Sequence, residues 1–144
     1  MKKLILFAAI AGLFIQVQAQ EQKLIAKDVP GAVTAAFYKA NPTIKDVSWS
    51  KKGANYIGAF EKDKVANSVT YDVSGKLIES QEEIVAAALP TPAMNYVKLN
   101  YKEDDVKKAY KITDANWVVT YKAEVKGMDL TFDSNGNFIN SIKK

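Results

Sequence analysis

The chain has 144 residues, with no cysteine, no histidine and no arginine, since every basic residue is lysine. Those absences remove His-based triads, Cys nucleophiles, the usual zinc and transition-metal ligand sets, and bidentate arginine clamps on carboxylate or phosphate. The formal charge of +4 falls to about +2 without Lys2 and Lys3, and the lysines are interspersed with the 16 acidic residues; no basic stripe marks a nucleic-acid reader.

Residues 1–19 read as a secretory signal peptide. Lys2 and Lys3 give a positive start, Leu4 to Ile15 an apolar stretch, and Val17-Gln18-Ala19 a small residue at the cut. Gln16 and Gln18 interrupt the run short of the roughly 18 apolar residues that a membrane span needs. Cleavage after Ala19 would leave residues 20–144 as one domain, soluble because no lipid-attachment cysteine follows and without a later run fit for stable membrane insertion. The expected address is periplasmic or secreted, and stability must come from packing.

A polar lead, Gln20 to Lys27, precedes the first predicted helix. Asp28 is placed to cap it, Pro30 fits its first turn, and Val29, Val33, Ala36, Phe37 and Ala40 form its apolar stripe. Asn41-Pro42 ends it. Four strands follow with period two: Ile44 to Lys51, Asn55 to Glu61, Val65 to Tyr71 and Lys76 to Gln81. Glu82 to Leu89 is a connector or a separate turn, and a second helix starts near Thr91 with Ala93, Met94, Val97 and Tyr101 on its apolar side. The second strand set is Asp105 to Ile112, Asn116 to Lys126, Met128 to Phe132 and Phe138 to Ile142, with a turn at Thr113-Asp114-Ala115.

Two hairpins share one motif. Tyr71-Asp72-Val73-Ser74-Gly75 recurs 61 positions later as Phe132-Asp133-Ser134-Asn135-Gly136; Asp can bond backbone N–H groups two residues on, and Gly supplies φ > 0. The same offset sets Trp49 on Tyr110, Tyr56 on Trp117 and Phe60 on Tyr121, and a slightly shorter one sets Pro30 on Pro90. The chain therefore reads as α+β: a tandem repeat of one helix plus four antiparallel strands (about 28–83 and 88–144), forming one curved sheet with both helices on one face.

The string Val29-Pro30, Phe37, Asn41-Pro42, Val47-Ser48-Trp49, Tyr56, Phe60 and Tyr71 through Lys76 resembles the PepSY-like, or β-lactamase-inhibitor-like, family of small exported bacterial proteins. The resemblance implies the same tandem helix-plus-four-strand fold. Asn100-Tyr101 in place of a second Asn-Pro, and Lys62-Asp63-Lys64 without a turn glycine, depart from that pattern in the loops.

No catalytic, cofactor or metal site is expected. Glu82-Glu83 and Glu103-Asp104-Asp105 read as solvated connectors, Ser48 and Ser50 beside lysines as simple alternation, and Asp133 to Asn137 as a turn, because a calcium loop would need its distal Glu. Trp49, Tyr56, Phe60, Tyr71, Tyr110, Trp117, Tyr121 and Phe132 are assigned to the core. The opposite face then displays Ser48, Ser50, Ile57, Ala59, Thr70, Ile78, Val118, Thr120, Lys122 and Thr131 as the candidate protein-binding surface. The expected function is that of an exported, non-enzymatic binding module presenting this face to a protein or peptide of the cell envelope. The resemblance implies an inhibitor-like role towards an envelope or secreted hydrolase. A small apolar or envelope-derived ligand held between sheet and helices, against Trp49, Trp117 and Met94, is the alternative.

Overall fold

Short alternating runs separated by turn residues give nine strands and two helices in the computed structural model, which describes residues 20–102 and 105–144. The signal-peptide segment and Glu103-Asp104 lie outside the described residues. The order is β1 (Glu21–Leu24), α1 (Gly31–Ala40), β2 (Ser48–Lys52), β3 (Asn55–Lys62), β4 (Val65–Tyr71), β5 (Leu77–Ile84), α2 (Thr91–Asn100), β6 (Val106–Asp114), β7 (Val119–Val125), β8 (Met128–Phe132) and β9 (Phe138–Lys143). All strands join one open antiparallel sheet in sequence order. The predicted polar lead is thus a strand: Glu21 to Leu24 pair with Lys52 to Trp49, making β1 an edge.

Each helix is entered in the same way. A single 3-10 turn, Ala26–Asp28 or Ala86–Ala88, hands on to a buried Val29 or Leu89, and Pro30 or Pro90 then stands at the N-cap. Asp28 does not cap α1, contrary to expectation, because it lies within that 3-10 turn and no side chain caps the helix. At the far ends the side-chain amides of Asn41 and Asn100 donate to the carbonyls of Phe37 (3.1 Å) and Tyr96 (2.9 Å), satisfying groups the helix leaves open.

The helices cover one face of the sheet with two separate cores. Val33 and Phe37 of α1 pack with Trp49, Tyr56, Val69 and Tyr71; Ala93, Met94 and Val97 of α2 pack with Ala109, Ala123, Val125, Leu130 and Phe132. The register puts both sets on the same side: Trp49, Gly58, Val69 and Ser80 stand opposite one another in turn, and the row continues through Thr113 to Val119. Phe37 meets Trp49 and Phe60 edge-on at centroid distances of 5.4 and 5.2 Å, while Tyr96 stacks on Phe138 at 4.4 Å.

Three turns at one end of the sheet share a single hydrogen-bond pattern. Asp72, Asp114 and Asp133 each donate their N–H to the carbonyl four residues on, at 3.0, 3.0 and 2.9 Å, and accept from the N–H three residues on, at 3.1, 3.1 and 3.0 Å. Each carboxylate also accepts from the N–H groups two and four residues on, at 2.8 to 3.1 Å. The left-handed position falls to Gly75 (φ +82°) and Gly136 (φ +87°) in two turns, and to Trp117 (φ +64°) in the third.

That third turn breaks the predicted Asn116 to Lys126 strand. β6 runs on to Asp114, β7 starts only at Val119, and Trp117 is 85% exposed instead of buried. Tyr110 also leaves the core. An irregularity between Val106 and Lys108 changes the alternation, so Ala109 faces the helices and Tyr110 the other side.

Candidate functional site

The face away from the helices is open, and its geometry follows from strand register. One row runs Lys23, Ser50, Ile57, Thr70, Glu79, Asp114 from β1 to β6. The next runs Ser48, Ala59, Ser68, Gln81, Ile112, Thr120 from β2 to β7. A third joins Glu83, Tyr110, Lys122, Thr131 and Asn140 from β5 to β9. Ser48 and Thr120, far apart in sequence, therefore share a row.

A hollow of about 640 Å³ lies on this face, lined by Ile57, Ala59, Thr70, Ile78 and Lys122 from the expected set and by Glu21, Lys52, Asn55, Ser68, Glu79 and Gln81 beyond it. A smaller one of about 270 Å³ adjoins the β1 edge and includes Ser48 and Ser50; there the Ser50 hydroxyl donates to the Glu21 carboxylate. Val118 stands apart at the turn end, 54% exposed. Register sets Ser48, Ser50, Ile57, Ala59, Thr70, Thr120, Lys122 and Thr131 on one face, but only some of them share one hollow.

Sequence reasoning found Lys122 but missed the groups around it. Tyr110 lies under Lys122, whose Nζ is 4.6 Å from the ring centroid. Burial, then the Glu124 and Glu83 carboxylates, push the Tyr110 hydroxyl up to about 12. Lys144 bridges Glu124 (2.9 Å) and Asp129 (3.3 Å). Burial acts to raise the Glu124 carboxyl, yet the Lys144 hydrogen bond and its charge outweigh it and hold the group below its usual range. The signal that could have found this side was Ala109 in the core, which sends Tyr110 outwards by alternation.

Among the described residues no group of three or more His, Cys, Asp or Glu side chains is arranged to hold a metal ion. Nor is there a described helix long and apolar enough to cross a membrane. Trp49 and Met94 sit in separate cores and Trp117 is exposed, so these three cannot wall one cavity between sheet and helices.

A family model described as "Putative beta-lactamase-inhibitor-like, PepSY-like" matches residues 54–140, more than half of the chain. No curated protein matches. Among solved structures, a protein from Bacteroides eggerthii described as a putative periplasmic protein superposes with a TM-score of 0.72 at 18% identity, covering 80% of this chain and 88% of that one. A DUF2874 family protein from Bacteroides ovatus gives 0.65 at 17% identity, over 79% and 86% of the two chains. A BLIP-like protein from Bacteroides fragilis gives 0.60 at 18% identity, again over 79% and 86%. At these identities the likeness speaks for the fold.

Proposed function

The chain belongs to the PepSY-like, β-lactamase-inhibitor-like family, and from that premise we propose that it is an exported, non-enzymatic binding module whose open sheet face receives a protein or peptide partner. The observation that carries this reading is the asymmetry of the sheet. One face packs its two cores under α1 and α2, whereas the other holds a hollow of about 640 Å³ where small side chains such as Ala59, Ser68 and Thr70 are framed by Glu21, Lys52, Glu79 and Lys122. Such a pre-formed surface binds by occlusion, with little ordering cost. The partner expected from the family resemblance is an envelope or secreted hydrolase, and the kinship with proteins described as periplasmic supports a periplasmic or secreted address.

The domain reading that goes with this is a signal peptide over residues 1–19 and one unit over 20–144, built by duplication. Register supports the duplication: Leu24 stands opposite Trp49 as Ile84 stands opposite Ala109, and Tyr56 opposite Tyr71 as Tyr121 opposite Phe132. On this reading the counterpart of Tyr56 is Tyr121, because the second copy has a longer β6–β7 connection and a shorter β7–β8 hairpin.

Affinity capture with residues 20–144, run beside Ser50→Arg and Thr120→Arg, tests the function. Both variants should keep the wild-type unfolding midpoint and lose the captured partner, since each places a long charged side chain on the open face. Equal retention by wild type and both variants would sink the reading.

A further inference from the structure

The three like turns differ at their left-handed position, and two of them explain their glycine. A Cβ on Gly75 would run into the Ala32 carbonyl at the start of α1, and one on Gly136 would come within 2.7 Å of the Pro90 Cβ at the start of α2. In the third turn the same conformation is imposed on Trp117, a residue that disfavours it. No burial compensates, since Trp117 is 85% exposed. The Asp114 carboxylate nonetheless holds the turn closed around it, accepting from Asn116 at 2.8 Å and Val118 at 2.9 Å.

Exposed apolar side chains gather at this turn and the one next to it. Val118 follows it, and the neighbouring turn presents Val73 (62% exposed) and Leu77 (39%). The Ala115 N–H donates to the Ile78 carbonyl at 3.0 Å, fastening the two turns together. A groove of about 390 Å³ between them includes Leu77, Ile78 and Glu79, and the last two also line the large open-face hollow.

We propose that Trp117, with Val118 next to it in the chain and Leu77 on the neighbouring turn, is the anchor that holds the partner of the open face, seating in an apolar socket of that protein rimmed by basic side chains. This rests on the open-face reading above. Large rigid aromatics dominate protein interfaces when they enter such pockets. The rim chemistry follows from charge: Asp72, Glu79 and Asp114 surround the groove against Lys76 alone. Those carboxylates disfavour an anionic bilayer.

The test places the photo-crosslinker benzoylphenylalanine at position 117, at 120 on the open face, or at 99, where Leu99 is equally exposed on α2. The exported chain is irradiated with periplasmic and secreted protein from the producing cells. Expected are protein adducts from 117 and 120 but not 99, with the 117 adduct mapping to an apolar pocket flanked by Lys or Arg. Against that purified protein, Trp117→Gly should weaken binding about a hundredfold while leaving the urea midpoint unchanged or raised. An adduct from 120 without one from 117 overturns the anchor and spares the open-face reading. An adduct from 117 alone removes the open-face reading and, with it, the anchor of an open-face partner. No adduct at either position, a lipid or glycan adduct at 117, or a Trp117→Gly variant that is destabilised overturns the anchor.

Discussion

Phe37 and Trp49 meet edge to face, with ring centroids 5.4 Å apart and planes at 75°. They join α1 to β2, and both are nearly inaccessible to solvent. The contact has a flaw, because the Trp49 indole N–H is buried without a hydrogen-bond partner. A buried donor left unpaired costs about 1–3 kcal/mol. The two positions should therefore respond differently. Phe37→Ala opens a cavity in the smaller core and should cost about 3–5 kcal/mol. Trp49→Phe loses ring volume but also removes the unpaired donor, and should cost no more than about 1–2 kcal/mol. Urea unfolding of the two variants decides it; comparable losses would mean that the indole nitrogen is not a liability.

Two left-handed turn glycines supply a second contrast. Gly136 has φ +87°, and an added Cβ would meet Pro90 at 2.7 Å and the Ala93 nitrogen at 3.0 Å. Gly127, at φ +76°, has nothing within 4 Å of the same added atom. Left-handed strain alone costs about 1–2 kcal/mol, and overpacking typically adds about 1–3 kcal/mol. Gly127→Ala should show only the first effect and Gly136→Ala both. Equal thermal shifts would show that α2 yields without cost to the new methyl group.

These glycines also mark how far the sequence could be read. Asp-x-x-Gly announced two turns because Gly is the usual answer to φ > 0; the third, expected at Thr113-Asp114-Ala115, runs on to Val118, and its extent hid behind Trp117, where a tryptophan meets the same demand. Alternation found the inner and outer sides of β3 and β4, where pairing is regular from Tyr56 to Lys62. It failed on β6, where an irregularity beside Val106 reverses the sides and moves Tyr110 to the open face. β1 went unseen because Glu21-Gln22-Lys23 is a polar edge, paired on one side only, with nothing in its composition to separate it from a lead segment. Of the candidate face, period two reached the small side chains and Lys122 but not Tyr110. Glu79 and Glu83 were not legible either, because a carboxylate on an exposed strand carries no signal until register sets its neighbours.

Charged groups set the pH response. The Lys144 hydrogen bond keeps Glu124 below its usual range, so its contribution is present above the unfolded carboxyl value and is lost as pH falls through the lower folded value. Tyr110 and Lys144 work at the other end. Tyr110 is raised to about 12 from 10.0, first by burial and then by Glu124 and Glu83. Lys144 is raised by its hydrogen bond to Glu124. A group with a raised folded value stabilises fully below its unfolded value and loses that contribution as pH climbs through the folded one. Stability should therefore decline in acid below about pH 4.5 and in alkali above about pH 10. Glu124→Gln should flatten the acid limb, and Tyr110→Phe should flatten the alkaline limb between pH 10 and about 12. Urea midpoints measured across pH 2–12 for the three proteins test this, at low salt to limit screening. An alkaline limb in Tyr110→Phe as steep as in the wild type would remove Tyr110 from the account and leave it to Lys144 and to the Tyr71 hydroxyl, which burial also raises.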